Sequence, residues 1–191
     1  MRIVIAEDEG TIRLDLAETL RGLGHEVIGE AKDGSQALAF ITDLEPDAAI
    51  LDIAMPHMTG LEVAEALAQQ GTQCPLVILS AFSDQEYIAR AANSGVYAYL
   101  VKPFTEDDIE PALHIAISRF LAQTVLEQEV QDLSEQLEAR KVLDRAKGIL
   151  MKQGYSEPEA FKLLQKTAMD KRRSLVDVAQ AIVLSDSMLN S

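Results

Sequence analysis

Over the first hundred positions, short runs rich in Ile, Val and Leu alternate with longer stretches in which apolar residues recur every three or four positions. Runs of the first kind suit strands buried on both faces, and stretches of the second kind suit helices covering a sheet. The pattern predicts strands at 3–6, 26–29, 48–51, 76–79 and 97–101. Helices are predicted at 12–22, 34–44, 60–70 and 84–94, with a fifth beginning after Thr105. Ser83-Asp84-Gln85-Glu86 and Thr105-Glu106-Asp107-Asp108 spell capping boxes, in which a hydroxyl satisfies a free helix N–H and an acid reaches back. Five βα units imply an α/β fold, a five-stranded parallel doubly wound sheet for which the order 2-1-3-4-5 is expected.

The pattern then changes. Between Ile109 and Gly148 there is no glycine, and the single proline, Pro111, falls in the first turns, where a helix tolerates it. One long helix is expected. Within it Leu126, Val130, Leu133 and Leu137 are spaced 4, 3 and 4 and flanked by Glu127, Glu129, Gln131 and Glu135. Two heptads of that kind suit a dimerising coiled coil, and they also suit a helix packed on its own domain. Two further starts, Ser156-Glu157-Pro158-Glu159 and Ser174-Leu175-Val176-Asp177, open amphipathic stretches that complete a small all-α three-helix unit. The expected organisation is a first domain over 1–120, a linking helix over 121–138, and a helical domain over 126–187 that overlaps the link.

Charge separates the same regions. The chain carries a net −14, which taken whole argues against nucleic acid, but residues 1–120 hold 7 Lys+Arg against 20 Asp+Glu whereas residues 139–173 hold 10 against 4. A nucleic-acid partner is therefore sensible for the basic end only. The lone Cys74 has no partner for a disulfide, and no apolar run approaches membrane-spanning length, so a reducing cytoplasm and no membrane contact are expected.

In a doubly wound sheet, ligands bind at the carboxyl ends of the strands beside the point where strand order reverses. Glu7 and Asp8 end the first predicted strand, Asp52 the third, Ser80 the fourth and Lys102 the fifth. Three convergent carboxylates call for a cation, and an oxygen-only donor set suits Mg²⁺. A carboxylate is also a nucleophile toward phosphorus, and phosphoryl transfer mainly needs positioning and neutralised charge, here from a metal and Lys102.

These residues, with Ile3-Val4-Ile5-Ala6-Glu7-Asp8-Glu9, Leu51-Asp52-Ile53-Ala54-Met55-Pro56, Gly60, Leu79-Ser80-Ala81 and Leu100-Val101-Lys102-Pro103-Phe104, resemble the receiver domain of bacterial two-component response regulators over about 1–120. The resemblance implies that Asp52 is the phosphoacceptor, supplied by a phosphohistidine of a sensor histidine kinase. It implies that Glu7, Asp8, Asp52 and the main-chain carbonyl of Ala54 hold Mg²⁺, that Lys102 binds the phosphoryl group, that Ser80 and Tyr99 form the switch pair, and that the Lys102-Pro103 bond is cis. Apart from accepting the phosphoryl group and losing it slowly, no enzymatic activity is expected.

On a helix, Ala139, Val142, Leu143, Ala146, Ile149 and Leu150 share one side, and Arg140, Lys141, Arg145, Lys147 and Lys152 the other. Gly148 lies amid the basic side, where a close backbone approach by a partner, a nearby helix crossing or simple tolerance would each accommodate it. Arg140 to Met151, with Gly154 to Phe161 and Ser174 to Ala179, resembles the ANTAR domain of transcription antiterminators over about 126–187. That resemblance implies a three-helix unit, usually dimeric, that binds paired RNA stem-loops in nascent messages. From charge and face, the candidate RNA contacts are Lys147, Arg145, Lys141, Lys152, Gly148, Lys166, Arg172 and Arg173, with Tyr155 available to stack on unpaired bases.

The expected function is a phosphorylation-dependent antiterminator that is a homodimer when phosphorylated. The alternatives are a response regulator whose helical end binds DNA or a protein instead. A hydrolase working through an aspartyl phosphate is opposed by Ala54, which stands two residues after Asp52 where aspartate-based phosphatases have an acid.

Overall fold

The computed structural model describes residues 1–81 and 95–189. Five strands, β1 (Arg2–Ala6), β2 (Glu26–Ala31), β3 (Ala48–Asp52), β4 (Leu76–Ser80) and β5 (Val96–Val101), form one parallel sheet in the order β2-β1-β3-β4-β5. This is the order expected from the sequence. The described helices of this region are α1 (Gly10–Gly22), α2 (Gly34–Leu44), α3 (Gly60–Gln70) and the start of α4 (Glu106–Lys152). Strand β2 runs two residues beyond its expected end, and α1 starts two residues early, at Gly10. The helix expected at 84–94 and the Ser83–Glu86 box lie outside the described residues.

The strands read as continuous apolar runs because both faces of the sheet are covered. Val4, Ala6, Ala49, Leu51 and Ile78 point to one side, against Ala37 and Ile41 of α2 and Val63, Ala64 and Leu67 of α3. Ile3, Ile5, Ile50, Val77 and Leu79 point to the other, against Leu16 and Leu20 of α1 and Ile109, Leu113 and Ala116 of α4. Ile50 is fully buried on the central strand, and truncating it to Ala is expected to cost about 3–4 kcal/mol. On β5 the register slips opposite Leu76/Val77, so that Tyr97 and Ala98 both pack on the second cluster while Tyr99 packs on the first.

Compact units divide the chain at Thr124/Val125, within the 47-residue α4. In the second unit the end of α4, α5 (Glu157–Lys171) and α6 (Leu175–Leu189) enclose Ala146, Leu150, Ala160, Leu164, Ala168, Val178 and Ala179. Four of these seven are alanines, which lets the helix backbones approach closely. The expected boxes at Ser156/Glu159 and Ser174/Asp177 are present, and at Thr105 the reach-back half forms: Asp108 accepts from the Thr105 N–H and hydroxyl, while the Asp108 N–H donates to the Thr105 main-chain carbonyl. The α4–α5 turn carries Gly154 at φ 103°, and the α5–α6 turn carries Arg172 at φ 52°. No helix among the described residues is long and apolar enough to cross a membrane.

Candidate phosphoacceptor site and basic helical surface

Strand order reverses between β1 and β3, so the residues leaving the carboxyl ends of these strands meet. Glu7 follows β1, Asp52 closes β3, Ser80 closes β4 and Lys102 follows β5. Register brings them level: Asp52 lies opposite Leu79, Ser80 opposite Val101, and the Lys102 N–H donates to the Ser80 carbonyl at 2.9 Å. The Lys102-Pro103 peptide bond is cis.

The Lys102 ammonium bridges the two buried acids, donating to Glu7 Oε2 at 2.5 Å and lying 2.7 Å from Asp52 Oδ1. Burial raises the Glu7 pKa, opposed by the hydrogen bond from Lys102, and the neighbouring Asp52 charge raises it further. Burial works against the Lys102 ammonium, but its hydrogen bonds to Asp52 and Glu7 outweigh that and leave its pKa above the ordinary lysine value. Asp52 Oδ2 accepts from the Ala54 N–H at 3.1 Å, which fixes the carboxylate's second oxygen on the loop.

Asp8 adds an exposed third carboxylate. One oxygen from each of Glu7, Asp8 and Asp52 lies within 4.8 Å of the others, so this oxygen-only acidic group could hold a metal ion. Three acids against one ammonium leave the cluster net negative, as a cation site requires. Ser80 Oγ is buried and has no hydrogen-bond partner among the described residues, and an orphaned hydroxyl costs stability unless something else engages it. Tyr99 is half-buried on β5, and burial raises its phenol pKa.

Four residues that were given no site role from the sequence position this site: Arg13, Gly60, Thr59 and Glu62. Arg13 of α1 donates to the main-chain carbonyl of Glu7 at 2.6 Å, pinning the acidic loop. Gly60 begins α3 directly against β3, where a Cβ would fall 2.4 Å from the Asp52 carbonyl oxygen. Thr59 and Glu62 form a capping box that fixes the start of α3, and the spelling Thr59-Gly60-Leu61-Glu62 carries that signal in the sequence. The Arg13 contact has no such spelling, because it depends on how α1 returns over the loop.

In the helical unit, Lys141, Arg145 and Lys152 are exposed on α4, and Lys166, Arg172 and Arg173 are exposed on α5 and the turn after it. Lys147 is different. Its ammonium lies 2.8 Å from Asp144 and 3.1 Å from Glu157, and these hydrogen bonds raise its pKa. Tyr155 is exposed in the α4–α5 turn.

The receiver-domain family model matches residues 3–114, and the ANTAR domain model matches 131–183. The chain belongs to the response regulators with a receiver and an ANTAR domain. It is 46% identical over 183 residues to the transcriptional regulatory protein PdtaR of Mycobacterium tuberculosis, covering 95% of this chain and 89% of the relative. The chemotaxis protein CheY of Bacillus subtilis is 31% identical over 113 residues, which cover 59% of this chain and 94% of CheY. Among solved structures, the signal receiver domain of a modulated diguanylate cyclase from Desulfovibrio desulfuricans matches at TM-score 0.58 and 29% identity, over 64% of this chain and 97% of that one. The Francisella response regulator 1452 receiver domain matches at TM-score 0.55 and 28% identity, over 62% and 97%. Both expected domains are thereby found in a regulator of the ANTAR antiterminator type.

Proposed function

We propose that this response regulator accepts a phosphoryl group on Asp52 from a phosphohistidine of a sensor histidine kinase and thereby controls RNA binding by its ANTAR domain. The observation that carries the first half is the buried Glu7–Lys102–Asp52 cluster with Asp8 beside it and the unpartnered Ser80 hydroxyl within the same strand-end row. A carboxylate oxygen of Asp52 attacks phosphorus, the P–N bond breaks, and its electron pair leaves with the imidazole, which takes up a proton. Glu7, Asp8, Asp52 and the Ala54 carbonyl would hold Mg²⁺, which would supply charge neutralisation on the transferring oxygens. Lys102 moves from bridging two carboxylates to pairing with the phosphoryl group. Ser80 gains through a phosphoryl oxygen the hydrogen bond it lacks, and Tyr99, on the adjoining strand, follows it as the second member of the switch pair. Water releases the phosphate slowly, since Ala54 offers no acid to activate it.

The second half rests on charge and exposure. Arg145, Lys141, Lys152, Lys166, Arg172 and Arg173 neutralise phosphates of RNA stem-loops, and Tyr155 stacks on an unpaired base. Leu126, Val130, Leu133 and Leu137 are each more than half exposed along α4, so the seam is not consumed by packing within the described chain. A second copy covers it, and phosphorylation favours this homodimer, which pairs two basic ends on two hairpins. A nearly complete switch from mostly off to mostly on asks the phosphoryl group to favour the active state by about 5.5 kcal/mol.

The test is binding of the full chain to a tandem RNA hairpin pair, with and without a small phosphodonor and Mg²⁺, for the natural protein and Asp52→Asn. Phosphodonor is expected to tighten binding only in the natural protein. Equal tightening in both removes Asp52 as the switch. Preference for duplex DNA over the hairpins, or no salt-sensitive RNA binding at all, overturns the RNA output.

A further inference from the structure

Two positions in the helical unit break local backbone preference in opposite directions. Gly148 sits in the interior of α4, where alanine is the better helix former, and a Cβ added there meets nothing within 4 Å. Neither a crossing helix nor core packing requires the glycine. Its smallness is unused inside the described chain.

Arg172 is the converse. Four helices among the described residues end in the same double hydrogen bond, with a left-handed residue at the turn. After α1 that residue is Gly24, after α3 Gly71 and after α4 Gly154, whereas after α5 it is Arg172 at φ 52°. The α5 bonds have the same form, Arg172 N–H to Met169 carbonyl at 3.2 Å and Arg173 N–H to Ala168 carbonyl at 3.0 Å. An L side chain is strained in this conformation, and glycine is not. The Arg172 side chain is exposed and makes no ion pair among the described residues, and a glycine would keep the same two main-chain bonds, so no side-chain contact within the unit explains the arginine.

The charges around Gly148 are likewise sorted. At about 100° per residue, Lys141, Arg145, Gly148 and Lys152 fall within an arc of about 60° on α4. Lys147 lies about 100° round the helix from Gly148, on the flank where Asp144 and Glu157 neutralise it. Its bond to Glu157 ties α4 to the first residue of α5. Arg145 and Lys152 form no ion pair among the described residues and keep their charge for a partner.

Resting on the RNA function set out above, we propose that the RNA backbone docks on the Lys141–Arg145–Gly148–Lys152 stripe, with Gly148 as the point of closest approach and Arg172 as a second contact. Lys147 is a positioning residue that holds the α4–α5 corner and makes no phosphate contact. Local preferences that fail without internal compensation mark sites of function, and here both failures occur beside the unpaired cations Arg145, Lys152 and Arg172, Lys141 being held at 2.6 Å by the exposed Glu138 on its own helix.

The decisive variants make the fold more secure and the function worse. In the full chain, Gly148→Ala is expected to slow hydrogen exchange of the neighbouring α4 amides about fivefold, the ratio implied by the helix preference of Ala over Gly. The same variant is expected to weaken binding to a tandem RNA hairpin pair at least tenfold. Arg172→Gly is expected to slow exchange at the α5 end while lowering affinity and reducing the log–log salt slope by about 1, as is Arg145→Ala for the slope. Lys147→Gln is expected to speed exchange at the α4–α5 corner and leave the salt slope unchanged. Natural protein that binds the hairpins, together with Gly148→Ala that binds equally well, overturns this docking surface and leaves the RNA function standing. A slope for Lys147→Gln reduced as far as for Arg145→Ala overturns the positioning role. Natural protein that fails to bind the hairpins overturns the function and this surface together.

Discussion

Gly60→Ala isolates how closely the sequence must fit around the acceptor. The added Cβ would lie 2.4 Å from the Asp52 carbonyl oxygen, 3.1 Å from its carbon and 3.3 Å from Leu51 Cβ. Since Cβ contacts essentially never fall below 3.0 Å, something must yield by about 0.6 Å. Neither side yields freely: Asp52 ends a fully buried strand, and α3 is held by the Thr59–Glu62 box and by the Gly60 N–H bond to the Ile53 carbonyl at 3.1 Å. Overpacking of this kind costs about 1–3 kcal/mol. If the displacement falls on the acceptor, the phosphorylation rate drops about tenfold, scaling from the hundredfold loss typical of a 1 Å misplacement. Gly22→Ala is the control, because nothing lies within 4 Å of its Cβ position. It is expected to stabilise α1 by up to about 1 kcal/mol and leave the rate unchanged. Hydrogen exchange of the β3 amides reports stability, and intact mass against time with a small phosphodonor reports rate. Gly60→Ala with natural stability and natural rate refutes the packing account.

Other consequences are open to direct measurement. Burial, aided by the negative charge of Asp47, pushes the Cys74 thiol up to about 12, so a thiol reagent at mild alkaline pH is expected to react only after denaturant is added. Rapid labelling of the native chain contradicts its place in the core. Hydrogen bonds from the Thr59 N–H and hydroxyl hold the Glu62 carboxyl below its ordinary 4.5. The stability this gives α3 is present in full above that value and is lost as pH falls through the lower folded value. Thr59→Ala is expected to cost about 1 kcal/mol near neutral pH, and its gap from the natural protein narrows in acid as the hydroxyl bond to the Glu62 carboxylate is lost, leaving the cap from the Glu62 N–H to the Thr59 hydroxyl; a gap independent of pH contradicts the hydroxyl's part in the box. Leu126→Glu with Leu133→Glu is expected to abolish any phosphodonor-induced dimer in sedimentation, and a dimer that survives both changes excludes the α4 seam.

The sheet and its order were legible because the strands are apolar on both faces and the βα alternation leaves few topologies. Glu7, Asp52, Ser80 and Lys102 were legible as strand-end residues, since topology alone gives such positions a common address. Arg13 was not, because a cation reaching a loop carbonyl leaves no periodic trace. Lys147 shows the opposite limit. Charge and helical face group it with Arg145 and Lys152, but its engagement by Asp144 and Glu157 depends on where α5 begins in space. Gly148 could be placed on the basic side from the sequence, whereas the open space around it could not.

Peptide mapping of the phosphorylated chain bears most directly on the acceptor. After incubation with a small phosphodonor and Mg²⁺, a single phosphoryl group is expected on the peptide containing Asp52, labile to hydroxylamine as an acyl phosphate, and absent from Asp52→Asn. A stable phosphoester on another residue, or equal labelling of Asp52→Asn, contradicts the assignment of Asp52 as the phosphoacceptor.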